Sequence, residues 1–213
     1  MPLENINPLL LDTVYQRMWM AADWSWTLGN IPAFTVVQNK TDYEIARPGD
    51  FLYIVQAKIV TSNNSDRDLI VDPRTEDSVI QAGQASRISA MTEGDTQFYR
   101  LSPVPTQQVA APQAPKVIGL YKKQGVKITA DNYETAILVF PDAWFYVYCL
   151  GVLAYAYTWA DDERGGSASI GSDGRYQFSG KMAEFEMGLE LMKKSEPLPT
   201  TPSKTVQDTK KER

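Results

Sequence analysis

The sequence predicts an α+β protein: a helical bundle built from N- and C-terminal helices, with a β-rich insertion and an extended C-terminal tail. Three observations predict it. Apolar residues recur at helical spacing near both ends of the 213-residue chain, they alternate with polar ones through the middle, and the final stretch carries no core-forming pattern. The expected partition is residues 1–30 plus 141–195 for the bundle core, 31–140 for the insertion and 196–213 for the tail.

Asn7-Pro8 before Leu9 reads as a helix start, because proline is tolerated at the first helical position. Leu11, Tyr15, Met18 and Ala22 then fall on one face, Trp19, Trp24 and Trp26 widen it, and Gly29 to Pro32 ends the run. A helix over Leu9 to Leu28 is expected. Phe34 to Val37 is short and apolar. After the turn-like Arg47 to Asp50, the residues Phe51, Tyr53, Val55, Ala57 and Ile59 alternate with their neighbours, as a strand does. Asp68 to Val71, Arg87 to Ser89 and Gln97 to Leu101 read as further strands. The prolines 103, 105, 112 and 115 mark a linker that can neither be helical nor sit inside a sheet. Lys116 to Lys122, Val126 to Thr129 and Thr135 to Phe140 return to the strand pattern, with Gln124-Gly125 as a hairpin turn.

From Ala143 to Ala160 no charged residue appears, and the run contains seven aromatics, from Trp144 to Trp159. A helix over 142–162 is expected. It can be read as a membrane span, as a helix buried in a bundle, or as a helix partly buried against neighbouring subunits. A span needs about 20 apolar residues, and acids flank this run, which weighs against the first. Gly151, Ala154 and Ala156 would admit another helix closely, and tyrosines suit sites with one apolar and one polar side. Phe178, Met182, Phe185, Leu189 and Met192 then trace a last helix over 178–195.

Histidine is absent and Cys149 is the single cysteine, so neither a Cys/His zinc site nor an imidazole-based nucleophile is available. No metal, cofactor or catalytic residue is expected. Asp161-Asp162-Glu163 has the composition of paired catalytic carboxylates but fits a solvated helix end better. Gly165 to Gly174 lacks the spacing of a phosphate loop and reads as a hinge or contact loop. Asn63, Asn64, Asp66 and Asp68 lack the ordered spacing and closing glutamate of a calcium loop. The residues from Met1 to Pro8 lack a basic leader, so no export by a secretory signal is expected. The net charge of −5 and a pI of about 4.9, without a basic stripe, argue against sequence-specific DNA binding.

Several pieces in order resemble the head-to-tail adaptor (connector or head-completion) proteins of tailed bacteriophages. These are the early helix closing on Asp23-Trp24, the Tyr43 to Phe51 segment running into a strand, and the Pro115 to Lys122 strand. Phe140-Pro141 with the aromatic helix, the helix from Phe178 to Met192 and the polar tail complete the set. Residues 61–112 take no part in the resemblance and read as an insertion. The resemblance implies a non-enzymatic virion protein of the neck, present in the host cytoplasm during assembly. It implies a homo-oligomeric ring, a dodecamer, beneath the portal and around a DNA channel, with further neck or tail proteins as partners and no membrane. It also implies that the tail lies along the portal through Leu198, Pro199, Pro202, Val206, Lys210, Lys211 and Arg213. The alternatives are another neck or tail component and, in a different class, a virion-associated cell-wall hydrolase.

Overall fold

A computed structural model describes residues 7–61, 66–72, 82–106 and 114–196. Among them the chain divides into two compact units, one holding the residues up to Leu28 and from Lys123 onward, the other Gly29–Lys122.

The second unit is built on a mixed sheet. Its strands are β1 (Leu28–Asn30), β2 (Phe34–Thr35), β3 (Asp42–Glu44), β4 (Phe51–Val60), β5 (Arg67–Val71), β7 (Arg87–Glu93), β8 (Thr96–Ser102) and β10 (Lys116–Lys123). The order is β1-β10-β4-β5-β7-β8-β3, with β2 also paired to β10. The β4–β5, β7–β8 and β3–β8 pairs are antiparallel, whereas β5 and β7 run parallel. The short β6 (Ala82–Gly83) and β9 (Val104–Pro105) pair apart from this sheet. Ile31, Phe34, Tyr43, Ile88, Tyr99, Leu101, Val117 and Tyr121 are among the residues of its core. Two details shape the sheet. Gly94, in the left-handed region at φ 57°, turns β7 into β8 with Glu93 opposite Thr96, as a tight hairpin requires. In β4 the expected alternation changes phase: Tyr53 is exposed, and Ile54, Ala57 and Ile59 are buried. There Gly119 of β10 lies against β4, where a Cβ would stand 2.5 Å from the Gln56 carbonyl oxygen.

The first unit holds three helices, α1 (Pro8–Met20), α2 (Phe145–Trp159) and α3 (Gly180–Ser195), and a hairpin of β11 (Ala168–Ile170) and β12 (Tyr176–Phe178). Asn7 caps α1, its side-chain oxygen accepting from the Leu9 amide at 3.0 Å, with Pro8 in the first turn. The helix stops at Met20, short of the expected Leu28. Trp24, fully buried, donates its indole N–H at 2.8 Å to the Met18 carbonyl, a last-turn acceptor that also takes the Ala21 amide at 3.3 Å. Trp24 and Trp26 therefore fold back and stack, with ring centroids 6.0 Å apart, instead of extending the helix.

The expected helical bundle with a β-rich insertion is overturned: the chain is mostly a curled mixed sheet with three helices. Sequence periodicity overstated the helical share at one end, since Leu28, expected to close the first helix, opens β1. The sheet also has a hydrophobic core of its own. Strands were overstated elsewhere, because 126–129 and 135–140 form none and Gln124-Gly125 makes no hairpin. Backbone groups in this stretch pair with side chains of α1. Asp12 accepts from the Ile128 amide at 2.8 Å, Gln16 donates to the Val126 carbonyl at 3.0 Å, and the Tyr15 hydroxyl accepts from the Val139 amide at 3.3 Å.

Candidate functional site

The helices of the first unit meet through glycines. A Cβ on Gly151 of α2 would stand 2.6 Å from Val14 Cγ1 and 2.8 Å from Phe185 Cε2; one on Gly188 of α3 would stand 3.0 Å from Val147 Cγ1. Val147, Gly151 and Ala154 thus form the inner face of α2, while Phe185, Gly188, Leu189 and Met192 form that of α3. Of the small residues Gly151, Ala154 and Ala156, expected to admit another helix, Gly151 admits α1 and α3 of the same chain.

The outer face of α2 stays open. Phe145, Tyr146, Cys149 and Leu153 are exposed along it, and Trp159 ends it. The helix contains no charged residue, so this is an apolar surface with tyrosine hydroxyls as its polar groups. Solvent-facing helix surfaces normally carry charge, and apolar patches of this kind mark interaction sites. Sequence reasoning missed a second such surface. On α3, Met187 (65% exposed) and Leu191 (49% exposed) lie one turn apart, on the side opposite the buried stripe. The signal was an i, i+4 apolar pair out of phase with Phe185 and Leu189.

At the end of α2, Asp161 adopts the left-handed conformation at φ 53°, and Asp162 starts a short 3-10 turn. Asp162 accepts from the Arg164 amide at 2.9 Å and from its guanidinium at 2.6–3.1 Å, which lowers its carboxyl to about 2. Arg164 in turn lies 4.4 Å over the Tyr157 ring. A carboxylate tied so to an arginine is a structural anion, not a proton donor near neutrality. Asp66 pairs with Lys58 at 2.6 Å, and Asn63 and Asn64 lie outside the described residues. Among the described residues no cluster of acidic, Cys or His side chains is arranged to hold a metal, and no helix is long and apolar enough to cross a membrane. In the sheet unit, a groove of about 410 Å³ includes Ile59, Arg67, Gln84 and Pro105 in its lining. Its guanidinium is engaged within the groove by the Gln84 side chain and, at 2.6 Å, the Ala85 carbonyl. Leu198, Pro199, Pro202, Val206, Lys210, Lys211 and Arg213 all lie outside the described residues.

The segments that carried the resemblance occupy defined places. Asp23-Trp24 forms the buried stop of α1, and Pro115 to Lys122 leads into and forms most of β10. Tyr43 to Phe51 joins β3 to β4, with Arg47 5.2 Å over Phe51 and 5.8 Å over Tyr99. The model of the SU10 adaptor protein family matches residues 9–199, most of the chain and every described element except the first residue of α1. The chain belongs to this family. Membership makes it a bacteriophage adaptor, a structural protein of the virion that interacts with other head and tail proteins. No curated protein matches the chain. In the adaptor, then, the charge-free outer face of α2 is the first candidate for contact with another protein. The match ends at Pro199, so most of the expected portal-binding residues, from Pro202 onward, lie beyond it.

Proposed function

We propose that this adaptor forms a homo-oligomeric ring, a dodecamer, beneath the portal and around the DNA channel, and links the portal to the next neck or tail protein. The observation that carries the reading is the family match over 9–199, which fixes an adaptor role. The exposed apolar face of α2 supports self-association, because burying such a surface is favourable in proportion to its area. The net charge of −5 suits a channel through which DNA moves without being held. The protein does no chemistry in this reading and assembles in the host cytoplasm before taking its place in the neck.

The tail binds the portal in this proposal, through Leu198, Pro199, Pro202, Val206, Lys210, Lys211 and Arg213. Its prolines limit the conformational freedom that binding must remove, and its lysines supply charges for an acidic groove. Deleting residues 198–213 is expected to leave a folded protein, with unchanged circular dichroism, that no longer co-sediments with portal rings. Equal portal binding by the truncated and full-length chains would sink the tail assignment.

A further inference from the structure

We infer that the ring closes by a head-to-tail contact in which the outer face of α2 on one copy packs against the outer face of α3 on the next. This rests on the proposed ring and names the surfaces that build it. Among the described residues, α2 and α3 each carry an exposed apolar face, and the two lie on opposite sides of the α2–α3 pair. Val147 and Gly151 turn α2 toward α3, which leaves Tyr146, Cys149 and Leu153 on its far side. Phe185 and Gly188 turn α3 toward α2, which leaves Met187 and Leu191 on the far side of that helix. Faces that point away from each other cannot satisfy one another within a chain, yet they can meet between successive copies. A contact between two different surfaces propagates, and closes into a ring when the rotation per copy allows it; a contact of one surface with itself stops at a dimer.

Charge points to the same pairing. The face of α2 has no ionised group to offer, so its occupant must bring few uncompensated charges. Most charged residues of α3 are paired locally, Lys181 with Glu184 and Lys193 with Glu190 at 2.7 Å and Arg17 of α1 with Glu186 at 2.8 Å, and Lys194 acts on Glu190 from one turn away. The surface around Met187 and Leu191 is therefore close to neutral in effect and fits an uncharged aromatic face.

Cys149, the single cysteine, stands on the α2 face and serves as the probe. Met187→Cys and, one turn along, Leu191→Cys place a second thiol on the α3 face at exposed positions that the fold tolerates. Purified virions carrying each variant are oxidised and run on non-reducing gels. The expected result is a ladder of dimers, trimers and larger species with at least one variant, lost when Cys149→Ser is added and absent from the unsubstituted chain. Dimers alone from the unsubstituted chain, through Cys149 to Cys149, would overturn the inference in favour of a self-paired α2 face. Absence of a ladder from both variants, with several copies of the chain still in each virion, would overturn it and leave the ring intact. Absence of the chain from virions would overturn the adaptor ring and this contact together.

Discussion

Tyr148 sits on the inner side of α2 with its hydroxyl 3.4 Å from the Leu11 carbonyl, and burial, with Cys149 and Asp12 nearby, pushes its ionisation up to about 12. The unfolded phenol ionises near 10.0, its ordinary value. Between these two values the unfolded chain loses a proton that the native chain keeps, so rising pH favours unfolding; below pH 10 both states hold the proton and the effect vanishes. Tyr121, which donates to Asp50 at 2.7 Å, is also raised to about 12 and adds in the same direction. The urea midpoint is therefore expected to fall as pH rises from 10 to 12, and to fall less steeply in Tyr148→Phe. Parallel midpoint-against-pH curves for the two proteins would contradict this account. Other aromatic polar groups act locally as well. Trp24 closes α1, Trp19 donates to the Lys123 carbonyl at 2.8 Å, and Tyr15 accepts from the Val139 amide. The last two bonds satisfy backbone groups at and beyond the end of β10 with side chains of α1.

Among the elements, α2 carries the most information, because its two faces are apolar for different reasons. The inner face is apolar for packing, and Gly151 sets how closely α1 and α3 approach it. Gly151→Val inserts atoms where Val14 and Phe185 already stand, so a loss of about 1–3 kcal/mol is expected from overpacking. Gly49 is the contrast: nothing lies within 4 Å of a Cβ built there, and Gly49→Ala is expected to change stability by less than about 1 kcal/mol. Chemical denaturation measures both, and equal effects at the two positions would refute the close-packing role of Gly151. The outer face is apolar and exposed among the described residues, which is why it enters the functional argument. Helical periodicity could not separate the two faces, since a helix that is apolar all round has almost no preferred side.

For the whole molecule, charge bears on the proposed passage of DNA. A net charge of −5 with no basic stripe in the sequence opposes the phosphate contacts that release counterions from duplex DNA. Fluorescence anisotropy with a labelled duplex at about 50 mM salt, where phosphate contacts are strong, is expected to show no binding. Salt-sensitive binding there would count against a passive channel wall. The sequence by itself determined the adaptor family, whose model matches residues 9–199 and so spans Asp23-Trp24, Tyr43 to Phe51 and Pro115 to Lys122. It also determined the sites of α2, α3, β4, β5 and β8, whose periodicity or alternation is local. It did not determine that the sheet dominates the fold, nor that 126–140 is irregular. Those depend on which backbone groups find partners across many residues: Leu28–Asn30 on β10, Ile128 on Asp12, Val139 on Tyr15. Only the tertiary structure decided which side of α2 is spent on α1 and α3, and which side, like Met187 and Leu191 on α3, is left exposed.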